Sequence, residues 1–268
     1  MLCMGRINLP LFLLCAGIAL LGTPAVHAQQ VGAPSVNAQK PALTVDEIVS
    51  RLEERNRERA AALKKFEGKR IYRMGYKGFF GDRHAEMTVS VRYAAPNDRE
   101  FTVISQSGSK FIIDHIFKRL MDGEKEAADD KNRQRTDLNA RNYEFTMVGL
   151  EASEGGPTYV LAVEPKSHNK FLYRGKIWVD AKDFAVTRIE AEPAKSPSFW
   201  VKKSEIHHKY EKVDDFWLPA ENRTDSTIHL GGHALLSIEY SDYKITEAAP
   251  LAPAESMRDD ASAGPPRP

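Results

Sequence analysis

The chain has 268 residues, 42% of them apolar, which is enough for one sizeable hydrophobic core. Lys and Arg number 38 against 37 Asp and Glu, a balance that gives no general attraction to nucleic acid. The only cysteines, Cys3 and Cys15, lie in an N-terminal apolar stretch, which excludes disulfides, cysteine nucleophiles and thiolate metal sites from the rest.

Arg6 is the only charge before an apolar run from Leu9 to Leu21, and Ala25-Val-His-Ala28 has the small-x-small form of a cleavage site. This pattern predicts a signal peptide over 1–28, cut between Ala28 and Gln29. The run is short for a membrane span, and no later segment is apolar enough for one. Leu13 and Leu14 precede Cys15 where a lipoprotein signal needs a small residue, so the expectation is a soluble periplasmic monomer without a lipid anchor. A flexible leader over 29–42 and a disordered Pro/Ala-rich tail over 248–268 flank one predicted domain over 43–247.

The domain opens with a helix. Thr44 and Glu47 have capping-box spacing, and Val45, Ile48, Val49 and Leu52 follow at helical spacing. The apolar stripe runs on to Leu63 and Phe66, which places the helix end near Gly68. The period then changes to two. "RIYRMGYKGFF" (70–80), "AEMTVSVRYA" (85–94) and "REFTVISQSG" (99–108) read as three antiparallel strands joined by turns. A second helix over 109–121 has Ser109 in capping position and a broad apolar face, and it stops before Gly123. A charged linker leads into seven further strands, beginning with "YEFTMVGLEA" and closing with "HALLSIEYSDYKIT". In "YRGKIWVDAKDFAVTRIEAEP" (173–193), strict alternation puts Trp178 and Ile189 on the face opposite Ile177 and Val179, where an ordinary half-solvated sheet is polar.

About ten strands and two helices make an α+β fold. A sheet of that length curls, which predicts a strongly curved antiparallel sheet, an unclosed β-barrel, with helices covering its concave face. Tyr72, Met74, Tyr76, Met87, Val89, Val91, Tyr93, Phe101 and Val103 occupy alternating positions on the first three strands and are candidates for the concave side. Ile112, Ile113, Ile116, Phe117 and Leu120, with Met121, would face them from the second helix, as a movable cover over an apolar cavity. The same residues also describe a permanently packed core.

Catalytic patterns are weak. His207 and His208 are adjacent on a strand and point to opposite faces. His229 and His233 flank a turn, with no carboxylate pattern or HExxH nearby. Asp114 and His115 diverge on a helix, and Ser105, Ser107 and Ser109 lack a nucleophile-elbow context. Asn222-Arg-Thr matches a glycosylation triplet. The reading is therefore a protein that is not an enzyme and has no cofactor or metal.

"KIWVDAKDFAVTRIE", "YEKVDDFWLPAENRT", "LLSIEYSDYKI" and, upstream, "TVDEIVSRLEERN" resemble the LolA/LolB-like superfamily, which includes bacterial outer-membrane lipoprotein-sorting proteins. The resemblance covers most of 43–247 and is strongest over 157–246. It implies an unclosed antiparallel barrel capped by helices, with a hydrophobic cavity that shields acyl chains. The segment "SGSKFIIDHIFKRLMDGEKEAADDKNRQR" departs from the group's functional motifs. The function expected from this resemblance is a periplasmic carrier of lipoprotein acyl chains or another lipid for delivery towards the outer membrane. Inner- and outer-membrane export proteins would be its further partners. An envelope sensor or adaptor of the same fold is the alternative, and an exported hydrolase using His207 or Asp114 is the weakest.

Overall fold

A computed structural model describes residues 43–79, 81–128, 132, 134–153, 155–196, 201–229 and 231–251. The expected signal peptide, the whole of the leader and nearly all of the tail lie outside these residues. No helix among them is long and apolar enough to cross a membrane.

The first helix, α1 (Val45–Ala62), begins as its sequence demands. The Thr44 hydroxyl accepts from the Glu47 N–H at 3.3 Å, and the Glu47 carboxylate accepts from the Thr44 N–H at 2.7 Å. Its end differs from the sequence expectation. The helix stops at Ala62, and Leu63 already opens β1 (Leu63–Lys77). The pairing of β1 with the last strand shifts register between Leu63 and Lys65 and again between Lys65 and Phe66. These bulges bring Leu63 and Phe66, three residues apart, into one buried cluster, which in sequence imitates a helical stripe.

β2 (Arg83–Ala94) and β3 (Asp98–Gly108) follow as hairpins, and then a crossover helix runs over 110–128. It is α-helical at Lys110–Ile112, π-helical at Ile113–Phe117 and α-helical again at Lys118–Ala128. Ser109 occupies the capping position but makes no side-chain cap bond. Gly123 lies inside the helix, not beyond its end.

The remaining strands form a meander. They are β4 (Tyr143–Ser153), β5 (Gly156–Pro165), β6 (Tyr173–Asp180), β7 (Val186–Pro193), β8 (Val201–Val213), β9 (Phe216–Ile228) and β10 (Gly232–Ala248). All ten strands join one sheet in the order β3-β2-β1-β10-β9-β8-β7-β6-β5-β4, antiparallel throughout. β3 and β4 are the two open edges, so the sheet does not close, and the crossover helix is the connection from one edge to the other. The fold is the α+β unclosed sheet with helices on one face that the strand count implies.

The hairpin at 173–193 resolves the oddity of its apolar outer face. A bulge between Trp178 and Val179 in the β6–β7 ladder resets the alternation, so Ile189 pairs with Ile177 and joins the core. Trp178 alone keeps the outer face. Its ring is buried beneath Arg188, whose guanidinium sits 4.3 Å from the ring centroid, and its indole N–H donates to Glu151 at 2.8 Å.

Candidate functional site

The inner face can be read from the ladder register. One transverse row runs Gln106, Met87, Tyr72, Ile238, Asn222, His208, Ile189, Ile177, Leu161, Met147. Two apolar regions lie at its ends. Ile48, Val49 and Leu52 of α1 pack on Tyr159, Leu161, Ile177, Ile189 and Ile206. The crossover helix covers the other end.

Twelve of the fourteen candidates singled out in sequence meet beneath that second cover. Tyr72, Met74, Met87, Val89, Val91, Ile112, Ile113, Ile116, Phe117 and Leu120 are buried together, with Tyr76 and Phe101 partly buried against them. Tyr72 and Phe117 bring their rings within 5.7 Å across the helix–sheet interface. The two exceptions sit elsewhere. Tyr93 belongs to a third cluster with Leu63, Phe66, Phe216 and Leu218, stacked on Phe66 at 5.2 Å. Val103 pairs with Val89 but stands on the open edge, 46% exposed, beyond the reach of the cover.

Sequence reading missed the buried point at which the cover is fastened; an exposed pair, Glu126 with Lys170 at 2.8 Å, ties its far end. Glu124, one turn past Leu120, reaches down between Arg70 of β1 and Arg99 of β3. The Arg70 guanidinium donates to both carboxylate oxygens, at 2.5 and 3.1 Å, and Arg99 donates to one of them. All three side chains are about nine-tenths buried. Burial alone would raise the Glu124 carboxyl, but Arg70 and then Arg99 outweigh it and hold its pKa down at about 2. Arg70 also lies 5.3 Å from the centroid of Phe101 and 5.0 Å from that of Tyr240. The only hint in sequence was negative: a charged residue directly after a glycine that should have ended the helix.

α1 is fastened differently. Arg59, fully buried, donates to the Asp183 and Phe184 carbonyls at 2.8 Å each and so caps the β6–β7 turn. The Asp183 carboxylate in turn accepts from Trp217 Nε1 at 2.9 Å and Lys212 Nζ at 2.6 Å. The turn and the Phe-Trp-Leu-Pro segment, far apart in sequence, are therefore parts of one contact.

The residues weighed for catalysis are scattered. His207 lies on the outer face, 3.9 Å from Glu190, while His208 is buried on the inner one. Asp114 pairs with Lys118 one turn along the helix, and His233 with Asp225 at 2.5 Å. Asn222 of the glycosylation triplet is buried. A trough of about 590 Å³ on the outer face of β4–β8 is lined by Glu144, Glu164, Arg174, Lys176, Glu190, Glu192, Glu205 and His207. Ala162, Val163, Ala191 and Ile206 line it as well, between those charged groups.

The model of a family described as of unknown function, DUF5686, matches residues 136–242, from just before β4 into β10. No curated protein matches the chain. Among solved structures, a LolA superfamily protein from Nitrosomonas europaea is similar at 12% identity and a TM-score of 0.35, covering 78% of this chain and 96% of that one. A DUF1329 family protein from Desulfovibrio piger has 12% identity and a TM-score of 0.37, covering 75% of this chain and 94% of that one. A domain from Vibrio parahaemolyticus described as an outer membrane lipoprotein-sorting protein has 10% identity and a TM-score of 0.36, covering 74% and 92%. A member of the superfamily that the sequence resembles is thus among the solved structures that match.

Proposed function

We propose that this protein is a periplasmic carrier that binds acyl chains of a lipoprotein or another lipid between the crossover helix and the inner face of β1, β2 and β10. The observation that carries this reading is the separability of that layer. Five apolar side chains of the helix, Ile112, Ile113, Ile116, Phe117 and Leu120, rest on a sheet face rich in Met and aromatic residues. Met and aromatic side chains repack readily around variable cargo. One buried ionic clasp fastens the helix to the strands beneath it. Each acyl CH₂ taken from water is worth about 0.8 kcal/mol, so a lipid-length chain gains on the order of 10 kcal/mol. That is comparable to the burial energy of the five helix side chains it would displace, at about 2 kcal/mol each. Cargo exchange on such a face needs no covalent chemistry, and the protein is read as a carrier, not an enzyme.

Native mass spectrometry of the exported protein, purified without detergent, tests the reading. The expected result is a population heavier by the mass of a lipid, which organic extraction removes. A single unliganded mass, together with no uptake of added oleate, would sink it.

A further inference from the structure

The middle of the inner face breaks the apolar pattern. β9 has four strands on one side and five on the other, the most interior setting a ten-stranded sheet offers. Such a strand is expected to be apolar at least on its core face. Instead Asn222, Thr224 and Ser226 point inward, while Glu221, Arg223, Asp225 and Thr227 alternate with them. Ser226 is satisfied by Ser204 of β8, hydroxyl to hydroxyl at 2.8 Å. The next inward pair is not. His208 and Asn222 are direct cross-strand neighbours, 5% and 6% exposed, whose side chains interact with each other, and Asn222 with Tyr240 as well, yet among the described residues His208 Nε2 and Asn222 Oδ1 are left without a partner. Buried polar atoms are rarely left so, because desolvation is uncompensated.

We infer that His208 and Asn222 form the polar half of the binding site, holding a neutral hydroxyl or amide group of the bound amphiphile. This rests on the carrier reading. Ile238 of β10 adjoins Asn222 on the crossover-helix side, and Ile189 of β7 adjoins His208 on the α1 side. An acyl chain in either apolar region therefore begins about one strand spacing, roughly 5 Å, from the pair. The pair asks for a group that can both donate and accept, since Asn222 Oδ1 only accepts and Nε2 of a neutral imidazole does either. Burial keeps His208 uncharged at neutral pH. Arg70, the cation on nearby β1, is already taken by Glu124. Among the described residues a carboxylate or phosphate would find no free counter-charge here, which selects a glyceride hydroxyl or an amide linkage over an anionic headgroup.

The test uses the full chain, two probes with the same acyl tail, and Asn222→Leu and His208→Leu variants. The probes are 1-oleoylglycerol, which is neutral and carries hydroxyls, and oleate. In calorimetric titration Asn222→Leu is expected to weaken 1-oleoylglycerol at least tenfold and oleate less than twofold. Thermal melting at pH 7 is a second readout. Removing an unsatisfied pair leaves Tm unchanged or raises it, whereas removing a structural one lowers it. Unchanged affinity for 1-oleoylglycerol in both variants overturns the inference, as does equal loss of both probes accompanied by a fall in Tm. A wild-type protein that binds oleate but not 1-oleoylglycerol also overturns it and leaves the carrier reading standing. Binding of neither probe removes both.

Discussion

At the scale of single residues, His208 has a measurable signature that does not depend on any ligand. Burial first, then neighbouring His207, pushes its pKa from 6.5 down to about 3. The unfolded chain therefore binds a proton between about pH 6.5 and pH 3 that the folded chain refuses, and stability falls as pH drops through that window. The shift corresponds to a loss on the order of 4–5 kcal/mol by pH 3. Urea titrations of His208→Leu should show a flatter acid limb between pH 6 and 4, while an unchanged slope would place the loss on other groups. Trp217 is a second case. Its indole bonds Asp183, and its ring packs at the join of two clusters. Trp217→Ala should cost about 3 kcal/mol in chemical denaturation without altering acyl-chain uptake. Trp178 stood out in sequence as an apolar residue on the wrong face of its strand. Neither Asp183 nor Glu124 did, because a carboxylate in a charged stretch looks the same whether it faces water or a buried guanidinium.

At the scale of elements, the crossover helix is the part whose role is most exposed to test. In Glu124→Gln, Arg70 and Arg99 keep their charges in a buried place with no carboxylate between them. Losing one partner of such a group costs about 3 kcal/mol or more. Hydrogen exchange should then show the amides of 113–124 opening far sooner, while those of β5–β7 stay protected. Equal loosening everywhere would mean that the helix is simply core. The junction with β3 makes a complementary case. Gly108 has φ +91°, and a Cβ there would lie 2.3 Å from the His84 carbonyl oxygen. Gly108→Ala should therefore destabilise the β3–helix junction by about 1–3 kcal/mol. The ten strands and both helices were legible from period alone, and helix and strand types were right wherever the period was clean. Boundaries failed where bulges changed the phase, at Leu63–Phe66 and at Val186–Ile189, because a one-residue slip in a strand reads as another period. The helix running through Gly123 was illegible for a different reason: its continuation is fixed by two arginines that are close only after folding.

At the scale of the molecule, the sequence pattern announced an open curved sheet with helices on one face, and the strand order bears that out. The candidate site was half legible. Alternation and helical spacing picked out the apolar floor and cover, since both are short-range signals. The polar seam was not, because Asn222 and His208 belong to different strands and look like ordinary outer-face residues until register places them side by side. An equally global expectation concerns the two covers. Wild-type protein saturated with oleate should change its protection in the crossover helix and leave α1 unchanged, because α1 is tied by Arg59 to backbone carbonyls that no cargo displaces. Protection appearing in α1 instead would move the site to the other end of the sheet.

The strand order also fixes when the molecule can fold. β1 to β3 pair among themselves, and so do β4 to β9, but the two groups share no ladder. Only β10, the last strand made, joins them, pairing with β1 from Leu63↔Ala248 to Lys77↔His233. Nearly the whole domain must emerge before its first strand finds its second partner. Contacts of such long sequence separation put folding in the slow range of roughly milliseconds to seconds. A chain ending at Gly231 should accordingly lose its cooperative melting transition, leaving two half-sheets with bare edges. Until β10 appears, the two half-sheets have no ladder to hold them to one another.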